Sequence, residues 1–208
     1  AVHRIHRGHD LRWDGNTRTM KPTSPPRDCL FWGGLLALVL VFAAWQCLHL
    51  GGYRWDWDEG VYVLTARSVG EGRQLYGEIF SMAPPLFILS LRGGFGILGD
   101  SLPAGRAVIV IYSALGLLGV GLLAREWGGR LAGWAAVVVL GLAPHFYVLS
   151  RVVIADTPSL GLSCLALWMA VRYERTGCRR WLVASGLVLA GGMLLKLSAG
   201  LVAPAMIV

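Results

Sequence analysis

The chain has 208 residues, 55% hydrophobic and only 15% charged, with a mean hydropathy of +0.58. A soluble domain carries more charge and fewer apolar residues, so composition points to a membrane protein. The net charge of +7 raises nucleic acid as a partner, but the basic residues lie in an N-terminal tail and in short loops between apolar runs, where orientation signals belong, and no nucleic-acid partner is expected.

Residues 1–28 are polar, rich in Arg, His, Pro, Thr and Gly, and lack periodicity. They read as a disordered basic tail. His3, His6 and His9 recur at intervals of three, which chance explains better than a metal site in such a tail. The chain starts at Ala1 and stops at Val208 within an apolar run, so it reads as a fragment of a longer chain. Residues 29–208 are expected to form a membrane domain of about five spans plus a truncated end, since a helix needs about 20 apolar residues to cross. The expected fold class is all-α: a polytopic transmembrane helix bundle with a juxtamembrane amphipathic or re-entrant segment after the first span. Continuous apolar runs favour helices over a barrel, whose strands alternate. Cys29, Cys47, Cys164 and Cys178 are widely spaced and read as small buried hydrophobes, not as a disulfide or zinc framework.

The first span covers about Leu30 to Leu50. Arg4, Arg7, Arg12, Arg18, Lys21 and Arg27 precede it and hold the N-terminus in the cytoplasm. Trp55-Asp56-Trp57-Asp58-Glu59-Gly60 then emerges on the far side, with three carboxylates in four residues between tryptophans. Carboxylates are costly to desolvate, so a cluster at the mouth of a bundle is a functional candidate. A plainer reading is a solvated loop start with interfacial Trp anchors. Val61 to Leu75 includes Arg67, Glu71 and Arg73 and suits an amphipathic surface helix, with Tyr62, Ala66 and Val69 on one face. Ala83-Pro84-Pro85 fixes an extended approach to a helix. Leu86 to Leu98 is apolar but short and is interrupted by Arg92, so it is not expected to cross.

Further spans are expected from about Arg106 to Ala124, from Leu131 to Leu149, from Pro158 to Val171, and from Trp181 onward. A tight charged turn at Arg125-Glu126-Trp127-Gly128-Gly129-Arg130 joins the first two of these. Ser150 to Thr157 is a break holding Arg151 and Asp156. Arg172, Arg175, Arg179 and Arg180 share one short loop. If 86–98 does not cross, the turn at 125–130 and the four-arginine loop are both cytoplasmic, as the positive-inside rule requires. That parity puts Asp58, Glu59 and Asp156 on one extracytoplasmic face of a multi-pass cell-membrane protein. Gly116, Gly119, Gly121, Gly186, Gly191 and Gly192 read as helix-packing positions.

The same face collects cations. Arg106 opens its span there, and Lys196, fifteen residues past Trp181 or about 22 Å along a helix, lies near the outer end. A carboxylate can serve as a general base, and Arg and Lys can hold a phosphate leaving group. Together they suggest group transfer from a phosphorylated lipid carrier. The rival reading is that these cations and acids pair with one another inside the bundle.

Several pieces in order resemble the N-terminal part of membrane glycosyltransferases of the GT-C class, of the protein O-mannosyltransferase and aminoarabinose-transferase type. They are Trp57-Asp58-Glu59-Gly60-Val61-Tyr62, Pro84-Pro85-Leu86, Gly105-Arg106-Ala107, Ser150-Arg151 through Ala155-Asp156-Thr157-Pro158, and Leu195-Lys196. The resemblance implies a polyprenyl-phosphate-linked sugar as donor, an acceptor lipid, glycan or protein, and inverting transfer without a covalent intermediate. It implies Asp58 as general base with Glu59 beside it, Asp156 supporting the acceptor or the first acid, and Arg151 and, more weakly, Lys196 toward the donor phosphate, with Pro84 and Pro85 shaping the site. Arg106 is a further phosphate candidate from its place on the same face. Many relatives carry Lys or His before the two prolines; here Ala83 stands there, and that cation is missing. No cofactor is expected, although paired acids permit a divalent ion. A transporter using intramembrane charges and a non-catalytic assembly subunit remain as alternatives. The first expects internal repeats or broken helices, and no convincing repeat is present.

Overall fold

The computed structural model describes residues 26–52 and 56–206, with side chains from Cys29 onward. The tail expected over 1–28 lies outside the described residues up to residue 25, and Pro26 already begins a helix. Among the described residues every regular element is a helix, and an isolated bridge joins Leu75 and Ile79 in the loop between two of them. Two helices are long and apolar enough to cross a membrane.

The first of these, α1 (Pro26–Cys47), buries a narrow stripe. Phe31, Leu35 and Val39, spaced one turn apart, face the protein, while Leu30, Trp32, Leu36, Leu40, Val41 and Trp45 face outward. An outward face of that composition suits lipid rather than water.

Residues of α2 (Trp57–Gly70) and α3 (Pro85–Leu98) form a second layer at one end. Each has 14 residues, about 21 Å of helix, too short to cross. Phe87, Ile88, Leu91 and Phe95 of α3 recur at helical spacing and close a core with Val63 and Ala66 of α2. Ala104, Val108 and Ile109 from the next helix complete it.

That next helix, α4 (Leu102–Leu142), reverses at Gly129, where φ is 73° and ψ −166°. Glycine adopts this backbone without the cost a Cβ would bring. The limbs 102–128 and 130–142 then fold against each other. A Cβ on Gly121 would meet Val137 Cγ2 at 2.7 Å, and one on Gly133 would meet the Gly121 carbonyl at 2.8 Å. The charged turn expected at 125–130 is this reversal. The span expected from Leu131 to Leu149 is interrupted: Ala143 is extended and Pro144 starts a short helix, α5 (Pro144–Leu149). Proline lacks the N–H to continue the ladder and drives the residue before it out of helical geometry.

Next come α6 (Asp156–Thr176) and α7 (Arg179–Leu195). Helix α6 outruns its expected end at Val171, because Arg172 and Arg175 reach Glu126 of α4 at 3.6 and 2.9 Å. Gly177, at φ 66°, ends it. The last span was expected to carry Lys196 within it; instead α7 stops at Leu195, Lys196 is extended, and a 3₁₀ segment follows over Leu197–Met206.

Glycines set the contact of α4 with α6, where a Cβ on Gly116 would sit 3.0 Å from Gly161 Cα and one on Gly119 2.9 Å from the Leu165 nitrogen. Gly191 and Gly192 lie against Leu162 of α6, whereas a Cβ on Gly186 would meet nothing within 4 Å, so Gly186 is no packing position. The cysteines are free; Cys29 and Cys47 are exposed rather than buried as expected, because both lie off the inward stripe of α1.

Contacts fix the two ends. At one, Arg125 stacks over Phe31 at 4.3 Å near the start of α1. At the other, the Trp45 indole N–H donates to the Tyr147 hydroxyl at 2.8 Å. Charged candidates for function gather at this second end.

Candidate functional site

Three neighbouring carboxylates open α2, and each is held differently. Asp56 is the N-cap: its Oδ1 accepts from the Asp58 backbone N–H at 3.0 Å. Glu59, one turn in, is fully buried. Its carboxylate accepts two hydrogen bonds from Arg106, Nε to Oε1 at 2.9 Å and Nη2 to Oε2 at 2.8 Å, and a third from the Val153 N–H at 2.9 Å. Arg106 is 1% exposed, and its Nη1 also donates to the Leu50 carbonyl at 2.6 Å. One ion pair thus ties the end of the first span, the start of α2, the start of α4 and the break before α6. A pair this dry persists because its lone pairs and protons are met.

Asp58 sits between these two and behaves unlike either. It is exposed, and its carboxylate has no hydrogen-bond or ion-pair partner among the described residues. One turn on, Tyr62 stands half-buried with its ring edge-on to Phe87 at 5.0 Å. Burial chiefly raises the Tyr62 hydroxyl above its ordinary pKa, and the negative charges of Asp58 and then Asp156 raise it further. Both acids therefore lie within electrostatic reach of the same hydroxyl, at the beginnings of α2 and α6. Asp156 opens α6 and binds Lys196 Nζ at 2.6 Å, with both side chains about half exposed.

Behind these acids lies a polar seam. Gln46 is fully buried, and its amide donates to the Tyr147 carbonyl at 2.8 Å and to the Ser150 hydroxyl. Ser113 Oγ lies 3.1 Å from the Ser150 carbonyl. These bonds hold the break at 150–155 against α1 and α4. Arg151 is nearly buried there, its guanidinium over the Tyr147 ring at 4.9 Å. No ion pair joins Arg151 to Asp58, Glu59 or Asp156 among the described residues.

The residues expected at the site thus fall into three groups. Glu59 and Arg106 pair with each other, as the rival reading of the charges held, and so do Asp156 and Lys196 at the surface. Asp58 stands open to solvent, and Arg151 lies nearly buried over the Tyr147 ring. Pro84 is extended before α3 and Pro85 is its first residue, with the buried Ala83 carbonyl accepting from the Tyr76 hydroxyl at 2.7 Å. Tyr62 and Gln46 were not singled out for the site. Tyr62 was legible as part of a helix face and as the last residue of the Trp57–Tyr62 stretch, and Gln46 as one polar residue near the end of an apolar run. Among the described residues no three His, Cys, Asp or Glu side chains converge as a metal site would need.

Two long apolar helices, one with a broad apolar outward face, and a cluster of charged side chains at one end define the class as a helical membrane protein. The sequence model of the dolichyl-phosphate-mannose-protein mannosyltransferase family matches residues 82–208, and the chain belongs to that family. It is thus a membrane glycosyltransferase of the GT-C type, from a family whose donor is a polyprenyl-phosphate-linked sugar. The matched stretch includes Pro84, Pro85, Arg106, Arg151, Asp156 and Lys196 and starts after α2, so Asp58 and Glu59 lie before it. Comparison with curated proteins and comparison with solved structures each gave no match.

Proposed function

We propose that the chain transfers a sugar from a polyprenyl-phosphate carrier to a hydroxyl of a protein, glycan or lipid acceptor, with inversion, on the extracytoplasmic face of the cell membrane. The N-terminus is cytoplasmic, both limbs of α4 cross together with α1, α6 and α7, and α2 and α3 lie along the outer surface. Asp58 is the general base: it takes the acceptor's proton as the acceptor oxygen attacks the anomeric carbon, and the phosphate leaves on its lipid. The observation that carries this reading is the division of labour among three adjacent acids. Asp56 caps the helix and Glu59 is locked to Arg106, which leaves Asp58 open and rigidly presented. A base held on an anchored helix is oriented before the substrate arrives.

Asp156 and Lys196 form a second wall of the mouth. An exposed pair of this kind is worth little to stability, so it can open to a substrate cheaply. Arg151 supports the donor phosphate from the buried side, and α2, α4 and α6 all begin at this end, their positive dipole ends toward the anionic donor. The test is Asp58→Asn in membranes supplied with a polyprenyl-phosphate sugar. Transfer should fall about 100- to 10,000-fold, the usual contribution of a positioned general base. Turnover equal to that of the unaltered protein would remove Asp58 from that role.

A further inference from the structure

Arg92 interrupts the apolar run that becomes α3, and glycosyl transfer makes no use of it. It leans across the groove between α3 and the end of α2, where its Nε lies 2.7 Å from the position a Cβ on Gly70 would occupy, so the glycine admits the guanidinium. Arg67, Gly70, Glu71, Arg92, Phe95 and Asp100 line a cleft of about 260 Å³ there. Arg67 is already held, its Nε donating to Asp100 Oδ1 at 2.6 Å and its Nη2 to the Asp100 carbonyl at 3.3 Å. Arg92 and Glu71 have no side-chain hydrogen bond or ion pair among the described residues. The cleft therefore presents one open guanidinium, one open carboxylate, and the remaining oxygen of Asp100.

Two cations and two anions cancel. A simple anion gains no net attraction and meets Glu71 and Asp100. A ligand carrying both a phosphate and an ammonium satisfies every group. The acids accept hydrogen bonds, so a primary ammonium with N–H donors fits them and a quaternary one does not. Apolar side chains stand out from the same two helices, with Leu64, Ile97 and Leu98 all more than half exposed. They set the cleft at the boundary between acyl chains and water, given the reading above that α2 and α3 lie on the bilayer.

We propose that the α2–α3 cleft binds the headgroup of a primary-ammonium phospholipid, phosphatidylethanolamine, with Arg92 on the phosphate and Glu71 and Asp100 on the ammonium. The cleft is nine residues along α2 from Asp58, roughly 13 Å of helix, and so stands apart from the acidic mouth. The bound headgroup fixes the depth of α2, and with it the height of Asp58 above the bilayer.

The experiment uses the full chain in detergent, exposed to equal amounts of phosphatidylethanolamine, phosphatidylcholine and phosphatidylglycerol, with retained lipid read by native mass spectrometry. Phosphatidylethanolamine should be retained over both others. Arg92→Gln should lower its retention about tenfold, the worth of one charge-assisted hydrogen bond, and Glu71→Gln should lower its preference over phosphatidylglycerol. Arg73→Gln, outside the cleft, should change nothing, and Arg92 and Glu71 have no partners to lose, so both variants should fold. Equal retention of phosphatidylglycerol by the unaltered chain, or unchanged retention in Arg92→Gln, overturns the proposal. Displacement of the lipid by an equal concentration of soluble glycerophosphoethanolamine would overturn the lipid as source. Asp58→Asn should lower transfer about 100- to 10,000-fold and leave lipid retention intact, so the two readings fail separately.

Discussion

Asp58 and Glu59 are adjacent in sequence and chemically alike, yet their side chains leave α2 about 100° apart, one into water and one into the core. That difference predicts opposite phenotypes. Asp58→Asn should insert and unfold like the unaltered protein while losing transfer. Glu59→Gln leaves Arg106 charged and buried and should lower stability by about 3–5 kcal/mol, read as a fall in thermal midpoint of the purified chain. Replacing the pair together, Glu59→Leu with Arg106→Met, should recover only part of that loss. The Val153 N–H and the Leu50 carbonyl would still lack their partners, at about 1–3 kcal/mol each. The sequence marks the acidic cluster but not this allocation, because Glu59's partner lies 47 residues further on and no local pattern points to it. A transfer defect in Glu59→Gln that exceeds its loss of folded protein would give Glu59 a part in the chemistry as well.

Period and turn chemistry made the helices legible, and the exceptions have local causes. Helix α1, the α2–α3 pair, the reversal at 125–130 and the break before α6 follow from apolar runs, helical spacing and glycine or proline punctuation. The interruption at Pro144 was hidden by the apolar residues on both sides of it, and the end of α7 at Lys196 by the apolar 3₁₀ segment that follows. Glycine positions were readable as a class and not one by one, since only the fold tells which of them face a neighbour. A Cβ on Gly161 would meet the Tyr112 carbonyl at 2.8 Å and Gly116 Cα at 3.2 Å, both backbone atoms of α4 that cannot rotate away. Gly161→Val should therefore separate α4 from α6 and cost about 1–3 kcal/mol or more. Gly186→Ala, in open space on α7, should be neutral or stabilising by up to about 1 kcal/mol. Thermal unfolding of the two variants side by side checks the contrast, and equal losses would mean that the α4–α6 seam is not set by glycine contact.

Orientation belongs to the molecule as a whole: charge carries the proposal of which end is cytoplasmic, and packing shows which groups share an end. The proposed orientation, which puts the arginine loops in the cytoplasm, rests on charge alone. Packing gathers the same groups without using that rule: Arg125 lies on Phe31 near the tail, and Glu126 is bound by Arg172 and Arg175, so the turn at 129 and the α6–α7 loop share one end. The Glu59–Arg106 pair, Asp156–Lys196 and the α2–α3 layer share the other. In a background with the four cysteines replaced by alanine, Met82→Cys is exposed beside α3 and Cys178 can be restored in the arginine loop. A membrane-impermeant maleimide should label position 82 in intact cells and position 178 only after permeabilisation. The reverse pattern would put the acidic mouth in the cytoplasm and remove the extracytoplasmic reaction. Labelling of both in intact cells would require an even number of crossings between them. The limb 130–142, thirteen residues or roughly 20 Å, is the shortest of the three segments and would be the one to give way, since it reaches the outer face only with α5 continuing its path.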